Sequence, residues 1–441
     1  MEVRSVLDLW MERTKETESP SIFHKWIAIA VAGHILGRRV WVSKAGEYPL
    51  FPAQMMVCLV ARSAELRKST AVNVGGRTLN AIAERLPGKG LVNRIAEQGS
   101  PQSFLDQLQV KDEMDLVIEG ADAIGIVVAT ELGAFLSKES HNEVLATYMT
   151  ALNDAPHGEF NEETLEFGPY VWRSKYMTRP GFALRNPCVG MIAATTPTGL
   201  AKEIPHQAQL TGFFGRVIWV YADETDKEPN PMTGLRPKVA GQQRELVDRL
   251  VAMTGLAGPV RYKKEARAYY DEWYKTHRKE HVKTDGTLTS GFRQRKHDHV
   301  LRVAMVLAAM DGSLSQRNGG IVLQVPHIKE GVRLLTQVER ELPRCFMEIQ
   351  VRSLHNLGTL ILRMLSRHRE RWFDRHSIIK RMWNYKYNAR ECDDALAQLH
   401  QVSQVRKRGQ AVAAEYRFRE SAGAMLRLAK ESEDEGGEEE S

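Results

Sequence analysis

Four short apolar runs separated by stretches of helical periodicity constrain the fold of this 441-residue chain more than any other feature. They are VCLV from Val57, GIVVATEL from Gly125, CVGMIAATTP from Cys188 and RVIWVYAD from Arg216. A strand covered on both faces is apolar throughout, whereas a half-exposed strand alternates. Between the runs, stretches such as FLSKESHNEVLATYMTALND repeat at helical spacing. Strands alternating with helices predict an α/β fold built on a parallel sheet. Ahead of the first run, SPSIFHKWIAIAVAGHILGRRVWV predicts an N-capped apolar helix with a strand-like end. From about residue 240 to 345 the pattern is helical, with HVLRVAMVLAAM the clearest amphipathic segment.

The last 85 residues form a separate pattern. Thr359–His368, Arg375–Trp383 and Ala389–Val402 predict three helices, and VRKRGQAVAAEYRF a two-stranded wing turning at Gly409. That is the winged-helix arrangement. Its third helix would be the recognition helix, yet it carries Glu391, Asp393 and Asp394, which repel phosphate, so DNA contact and protein docking both stay open. The expected divisions are a helical segment 1–50, an α/β core 51–235, a helical lid 236–350, a winged helix 351–420 and an acidic, disordered tail 421–441.

Charge and cysteine usage narrow the setting. The net charge is +6, but residues 431–441 carry seven acidic and no basic side chains, so the remainder is +13. An excess of that size suits a polyanion such as nucleic acid, or serves solubility alone. Cys58, Cys188, Cys345 and Cys392 are scattered, which suggests neither a disulfide framework nor a zinc site. No run approaches the ~20 apolar residues of a membrane span, and no basic-then-apolar leader opens the chain. A soluble cytoplasmic protein is expected.

The first apolar run leads into a loop, Lys68-Ser69-Thr70, and then into a helical pattern opening with Ala71, Val72 and Val74. This is the layout of a phosphate-binding loop, in which helix N–H groups and a lysine meet a polyphosphate. The pattern G-x-x-x-x-G-K-[ST] wants glycine where this chain has Arg62 and Arg67. Glycine lets φ turn positive and the backbone approach closely, which arginine does only at a cost. Three readings stand: a working site with a modified loop, a degenerate loop, and an accidental basic helix start.

A second strand ending in acid is the usual companion of such a loop. Here it ends in Thr130-Glu131, with Glu131 placed to polarise water and Thr130 where an aspartate would order magnesium. An acid exposed at a strand end is the plain alternative. Thr195, at the tip of the third run, could position water near a γ-phosphate or open a turn before Pro197. Arg216 precedes the fourth strand, a natural place for an arginine reaching a neighbouring subunit's phosphate; Arg295 and Arg302, on the later helical segment, are second candidates for phosphate sensing or else ordinary helix-surface arginines. In GPYVWRSKYMTRPGF, Trp172, Arg173, Lys175, Tyr176 and Arg179 interleave stacking planes with cations, as a groove for single-stranded nucleic acid requires; a hairpin packing its own aromatics is the alternative.

Together these segments resemble the phage and prophage P-loop ATPases, catalogued as a domain of unknown function. That family occurs fused to or beside archaeo-eukaryotic-type primases and is treated as helicase-like. The resemblance spans roughly residues 15 to 310 and rests on FHKWIAIAVAGHILGRRVW, SAELRKSTAVN, GSPQSFLDQL, ATELGAFLSK, ALNDAP with Asp154, NPCVGMIAATTPTGL and GFFGRVIWVYAD. It implies an AAA+/RecA-type core that binds ATP and Mg²⁺ and forms a ring-shaped homo-oligomer. The implied activity is DNA helicase or translocase action in phage-type replication within a prokaryotic host. By position, Arg67, Lys68, Ser69 and Thr70 would surround ATP, with Lys68 on the β/γ-phosphates; Ser69 and Thr130 would serve magnesium, Glu131 catalysis and Arg216 the trans-acting role. A helicase loader, a recombination ATPase, and a DNA-binding scaffold with a non-hydrolysing nucleotide site are the alternatives. With about 50 residues before the first core strand, a primase is expected on a separate chain, met with other replisome proteins through the winged helix.

Overall fold

The computed structural model describes residues 4–44, 48–62, 66–86, 92–96, 99–111, 116–118, 120–136, 139–154, 157–161, 163, 166–174, 181–203, 212–228, 237–281, 289–311, 320–368, 371–383, 387–401, 404–409 and 413–418. They fall into two compact units, residues 1–346 and 347–441.

The first unit is mixed α/β around a five-stranded, all-parallel sheet. Its order across the sheet is Val217–Tyr221, Met56–Val60, Cys188–Thr195, Ile124–Ala129 and Arg94–Ile95. The four long strands are the four apolar runs, and the central Met56–Val60 and Cys188–Thr195 strands are buried at every residue. Arg94–Ile95 is an edge strand that the sequence did not announce, since two residues carry no periodicity. The Cys188–Thr195 strand aligns Thr195 with Val60 on one side and Ala193 with Ala129 on the other.

The helix Ser21–Leu36 is buried on nearly all sides, including Phe23, Trp26, Ile27, Ile29 and Val31. A helix apolar all round belongs inside a core. Its expected N-cap is absent: Pro20 holds the cap position with no side-chain hydrogen bond, and Ser19 serves elsewhere. The strand-like end, Val40–Lys44, joins a separate small sheet with Tyr48–Leu50 and Gly258–Pro259. The helix Lys68–Arg85 lays Ala71, Val72, Leu79 and Ile82 against the sheet and the Ser21–Leu36 helix. Gly75 permits the approach, because a Cβ there would stand 2.7 Å from Ile27 Cγ2 and 2.9 Å from Ile192 Cδ1.

Two short hairpins fill the stretch before Cys188, pairing Phe160–Asn161 with Glu166–Phe167 and Val171–Arg173 with Ala183–Arg185. Further helices of the unit are Val6–Thr14, Pro101–Leu108, Glu139–Asn153, Pro237–Met253, Lys264–His281, Ser290–Asp311 and Val325–Cys345. Val300 to Met310 is buried without a break.

The second unit has three helices, Met347–Ser366, Arg375–Trp383 and Ala389–Gln401, and a three-stranded antiparallel sheet ordered Phe373–Asp374, Glu415–Phe418, Val405–Arg408. Its first helix starts at Met347 rather than Thr359, and its first strand had no signal in the sequence. Gly409 turns the hairpin with φ of 77°. Leu357, Ile361, Leu365, Ile378 and Leu396 anchor a core of its own. The acidic tail lies outside the described residues.

Candidate functional site

The chain leaves the Met56–Val60 strand toward one edge of the sheet, through the Lys68–Arg85 helix to Arg94–Ile95. It leaves the neighbouring Cys188–Thr195 strand toward the other edge, to Val217–Tyr221. Adjacent parallel strands whose connections run in opposite directions mark a switch point, and open α/β sheets bind ligands outside the carboxyl ends of such strands. Lys68 and Thr195 both lie at that end of the sheet.

The helix opens at Lys68, and the residue before it, Arg67, has φ of 43° and ψ of 44°. This left-handed backbone is the conformation glycine adopts without cost and other residues adopt at about 1–3 kcal/mol. Arg67 is therefore held in glycine's shape by contacts from elsewhere. The Ser19 hydroxyl donates to the Arg67 carbonyl at 2.6 Å, and the Arg67 Nε donates to Glu18 Oε2 at 2.6 Å. Thr70 N closes the first turn on the same carbonyl at 3.0 Å. Glu18 is tied in turn, its carbonyl accepting from Thr225 Oγ1 at 3.3 Å. Glu18 did not stand out in the sequence, and Ser19 did so only as part of the helix start; both are 48 or more residues away from the arginine they brace.

Lys68 folds back over the mouth of the loop, its Nζ donating to the carbonyls of Ala61 and Arg62, each at 2.8 Å. Ala61 N continues the strand pairing to Thr195 O at 3.4 Å. Ser69 is exposed, and Thr70 is half-buried. The first N–H groups of a helix lack intrahelical partners, so Lys68 and Ser69 turn theirs toward the loop.

Thr195 is buried, its hydroxyl donating to the Thr196 carbonyl at 3.4 Å. Thr196 caps the next helix by accepting from Gly199 N at 2.9 Å, so the turn-opening role falls to this residue. Glu131 is exposed and sits at the N-cap of the short Leu132–Phe135 helix, with Thr130 half-buried before it. The Ile124–Ala129 strand pairs as far as Ala193, and Thr130 and Glu131 follow it in a bend at the same carboxyl end of the sheet as Thr195 and Val60. At about 4.8 Å per strand, the Ile124–Ala129 strand stands roughly 10 Å across the sheet from Met56–Val60.

Arg216 lies at the other end of the sheet, at the amino end of its strand, a strand's length of about 16 Å from the loop. It is buried, bonded to the Gly212 carbonyl at 2.8 Å and paired with Asp154. Asp154 also meets Arg295 at 3.2 Å, and Arg302 donates to Gln54 Oε1 at 3.1 Å. Burial alone would raise the Asp154 carboxyl, but the Arg216 hydrogen bond and the charges of Arg295, Arg216 and Arg302 hold it below its ordinary value. In this structure Arg216 is engaged within its own chain.

Trp172 and Arg173 lie on the Val171–Arg173 strand, Arg173 exposed and Trp172 edge-on to Tyr148 with centroids 5.8 Å apart. Lys175, Tyr176 and Arg179 lie outside the described residues. A cleft of about 680 Å³ lies beside the Val6–Thr14 helix, lined by Arg4, Asp8, Met11, Glu12, Lys15, Ser21 and Lys227, and includes none of the loop residues. Among the described residues, no group of three His, Cys, Asp or Glu is placed to hold a metal ion, and no helix is long and apolar enough to cross a membrane.

No model of a known protein family matches this chain, and no curated protein matches it in sequence.

Proposed function

We propose that the N-terminal unit is a P-loop ATPase core that binds ATP at the Ala61–Thr70 loop and couples its hydrolysis to movement on DNA, as a helicase or translocase. The observation that carries the reading is Arg67: a non-glycine residue held in the left-handed conformation directly before Lys68, beside two central strands whose connections run in opposite directions. A left-handed residue followed at once by a helix start leaves helix N–H groups and a lysine side by side, which suits a triphosphate; residues 63–65 of the loop lie outside the described residues.

Lys68 would exchange the carbonyls of Ala61 and Arg62 for β- and γ-phosphate oxygens. Ser69, Thr130 and Glu131 are hard oxygen donors of the kind magnesium takes alongside phosphates, and so fit that ion. Magnesium, when bound, neutralises charge developing on the phosphate oxygens. Glu131, which is exposed, would orient water, and Thr195 would hold its position. Arg216 would reach a neighbouring subunit only after leaving Asp154, so a ring-shaped assembly predicts that this pair opens. Trp172 and Arg173, with Lys175, Tyr176 and Arg179, are the proposed single-strand contacts. The C-terminal unit is read as a winged helix from its order of helices and wing.

A second reading, a DNA-binding scaffold that holds nucleotide without turning it over, draws support from Thr130, which brings no charge to the magnesium shell. Phosphate release with and without single-stranded DNA separates the two. The motor reading expects DNA-stimulated release that Glu131→Gln abolishes; ATP binding with no release by the wild type selects the scaffold.

A further inference from the structure

Residues 371–418 of the C-terminal unit carry ten Lys and Arg against five Asp and Glu. The acids are the reason the sequence left DNA contact open, yet four of the five are committed inside the fold. Asp374 caps the second helix, accepting from Ser377 N at 2.8 Å and Ser377 Oγ at 2.5 Å. Glu391 closes a capping box with Asn388, with bonds of 2.8 and 3.0 Å. Asp393 receives both arms of Arg375, each at 2.6 Å, and Glu415 pairs with Arg408 across the wing. Asp394 alone stands on the exposed face of the third helix.

That face runs through Arg390, Asp394, Ala397, Gln398 and Gln401, all exposed, while Cys392, Ala395, Leu396 and Leu399 turn into the core. It is narrow, bears a small residue at its centre and presents glutamine and arginine, side chains that pair with base edges. On the wing, Arg406 and Lys407 are exposed, as are Lys380 and Arg381 on the second helix. The aromatic rings of this unit are covered by cations: Arg408 over Trp372 at 4.4 Å, Lys407 over Tyr416 at 5.8 Å, and Arg371 and Arg381 over Phe373 at 5.0 and 5.4 Å. Only Trp383, 65% exposed, offers an open ring among the described residues here. Single-strand recognition relies on open stacking planes, whereas a helix with small side chains and flanking cations matches a wide groove between phosphate rows.

We infer that the C-terminal unit binds duplex DNA, with the Ala389–Gln401 helix in the major groove and Arg406 and Lys407 on the phosphates. The deep, narrow major groove of A-form RNA does not admit such a helix. Duplex binding by this surface requires no residue of the nucleotide site and no turnover of ATP.

The test is fluorescence anisotropy of the full chain with labelled duplex and with a single strand of the same sequence, over a range of salt. Arg406→Ala/Lys407→Ala should weaken duplex binding about tenfold or more and reduce the salt slope by about 1.8, at about 0.9 per phosphate contact. Asp394→Lys, an exposed charge reversal, should tighten it. Gln398→Ala/Gln401→Ala should leave the salt slope unchanged and narrow the affinity range among duplex sequences. Lys68→Ala should leave duplex binding intact, which keeps this inference separable from the ATPase reading. Wild-type affinity and slope in the wing double variant, no gain from Asp394→Lys, or a loss confined to the single strand would overturn it.

Discussion

At the residue scale the account turns on Arg67. Left-handed backbone favours glycine over alanine by roughly 1 kcal/mol, because a Cβ crowds the following carbonyl there. Arg67→Gly should therefore be more stable than Arg67→Ala by about that amount in urea unfolding, although both lose the Glu18 ion pair; equal stability would mean the backbone relaxes out of this conformation. Ser19→Ala should weaken nucleotide binding, and Arg67→Gly in the same chain should restore it, since glycine needs no brace. The buried histidines belong to this scale too. Burial, then the charges of Lys227 and Arg13, lowers His24 to about 3; burial, then Arg39, lowers His34 to about 4; burial, then Arg302, lowers His299 to about 3. Above about pH 6.5 both folded and unfolded chains hold neutral rings, and below it the unfolded chain takes up protons that the folded chain refuses. Stability should fall as pH drops from about 6.5 toward 4, and His34→Leu should flatten the fall, because both ring nitrogens of His34 are buried without a partner. An unfolding midpoint with the same pH slope in that variant would contradict this.

At the element scale, the Lys68–Arg85 helix owes its position to Gly75. Alanine is the better helix former, yet Gly75→Ala should destabilise the protein by about 1–3 kcal/mol, since the new methyl meets Ile27 and Ile192. Thermal or urea unfolding checks the sign, and a stabilised variant would show that the helix shifts freely. Elements were legible where burial wrote a long pattern: the four apolar runs are the four long strands, and helices form from Glu139, Ser290 and Val325. The amphipathic face expected of HVLRVAMVLAAM is absent, because Val300 to Met310 is buried on every side within the core. The Arg94–Ile95 edge strand and the Phe373–Asp374 strand were not legible, because two residues show no period and their pairing partners decide them. The cap expected ahead of Ser21 failed for a long-range reason, as Ser19 donates to the Arg67 carbonyl instead. Lys68, Thr195 and Glu131 could be set at one sheet edge from sequence order alone. The Glu18 and Ser19 brace and the burial of Arg216 against Asp154 depend on contacts no local pattern carries.

At the scale of the whole molecule, two units with separate cores imply separable functions. A chain ending at Phe346 should keep wild-type nucleotide affinity and lose duplex DNA affinity; loss of nucleotide binding in a truncation that retains its circular dichroism would show the units to be interdependent. The central claim is that the Ala61–Thr70 loop holds a triphosphate without its glycines. Equilibrium titration of the full chain with a fluorescent ATP analogue, wild type beside Lys68→Ala, tests it most directly. The account predicts saturable, ATP-competed binding that Lys68→Ala weakens by tenfold or more, and equal binding by the two proteins, or none by the wild type, would contradict it.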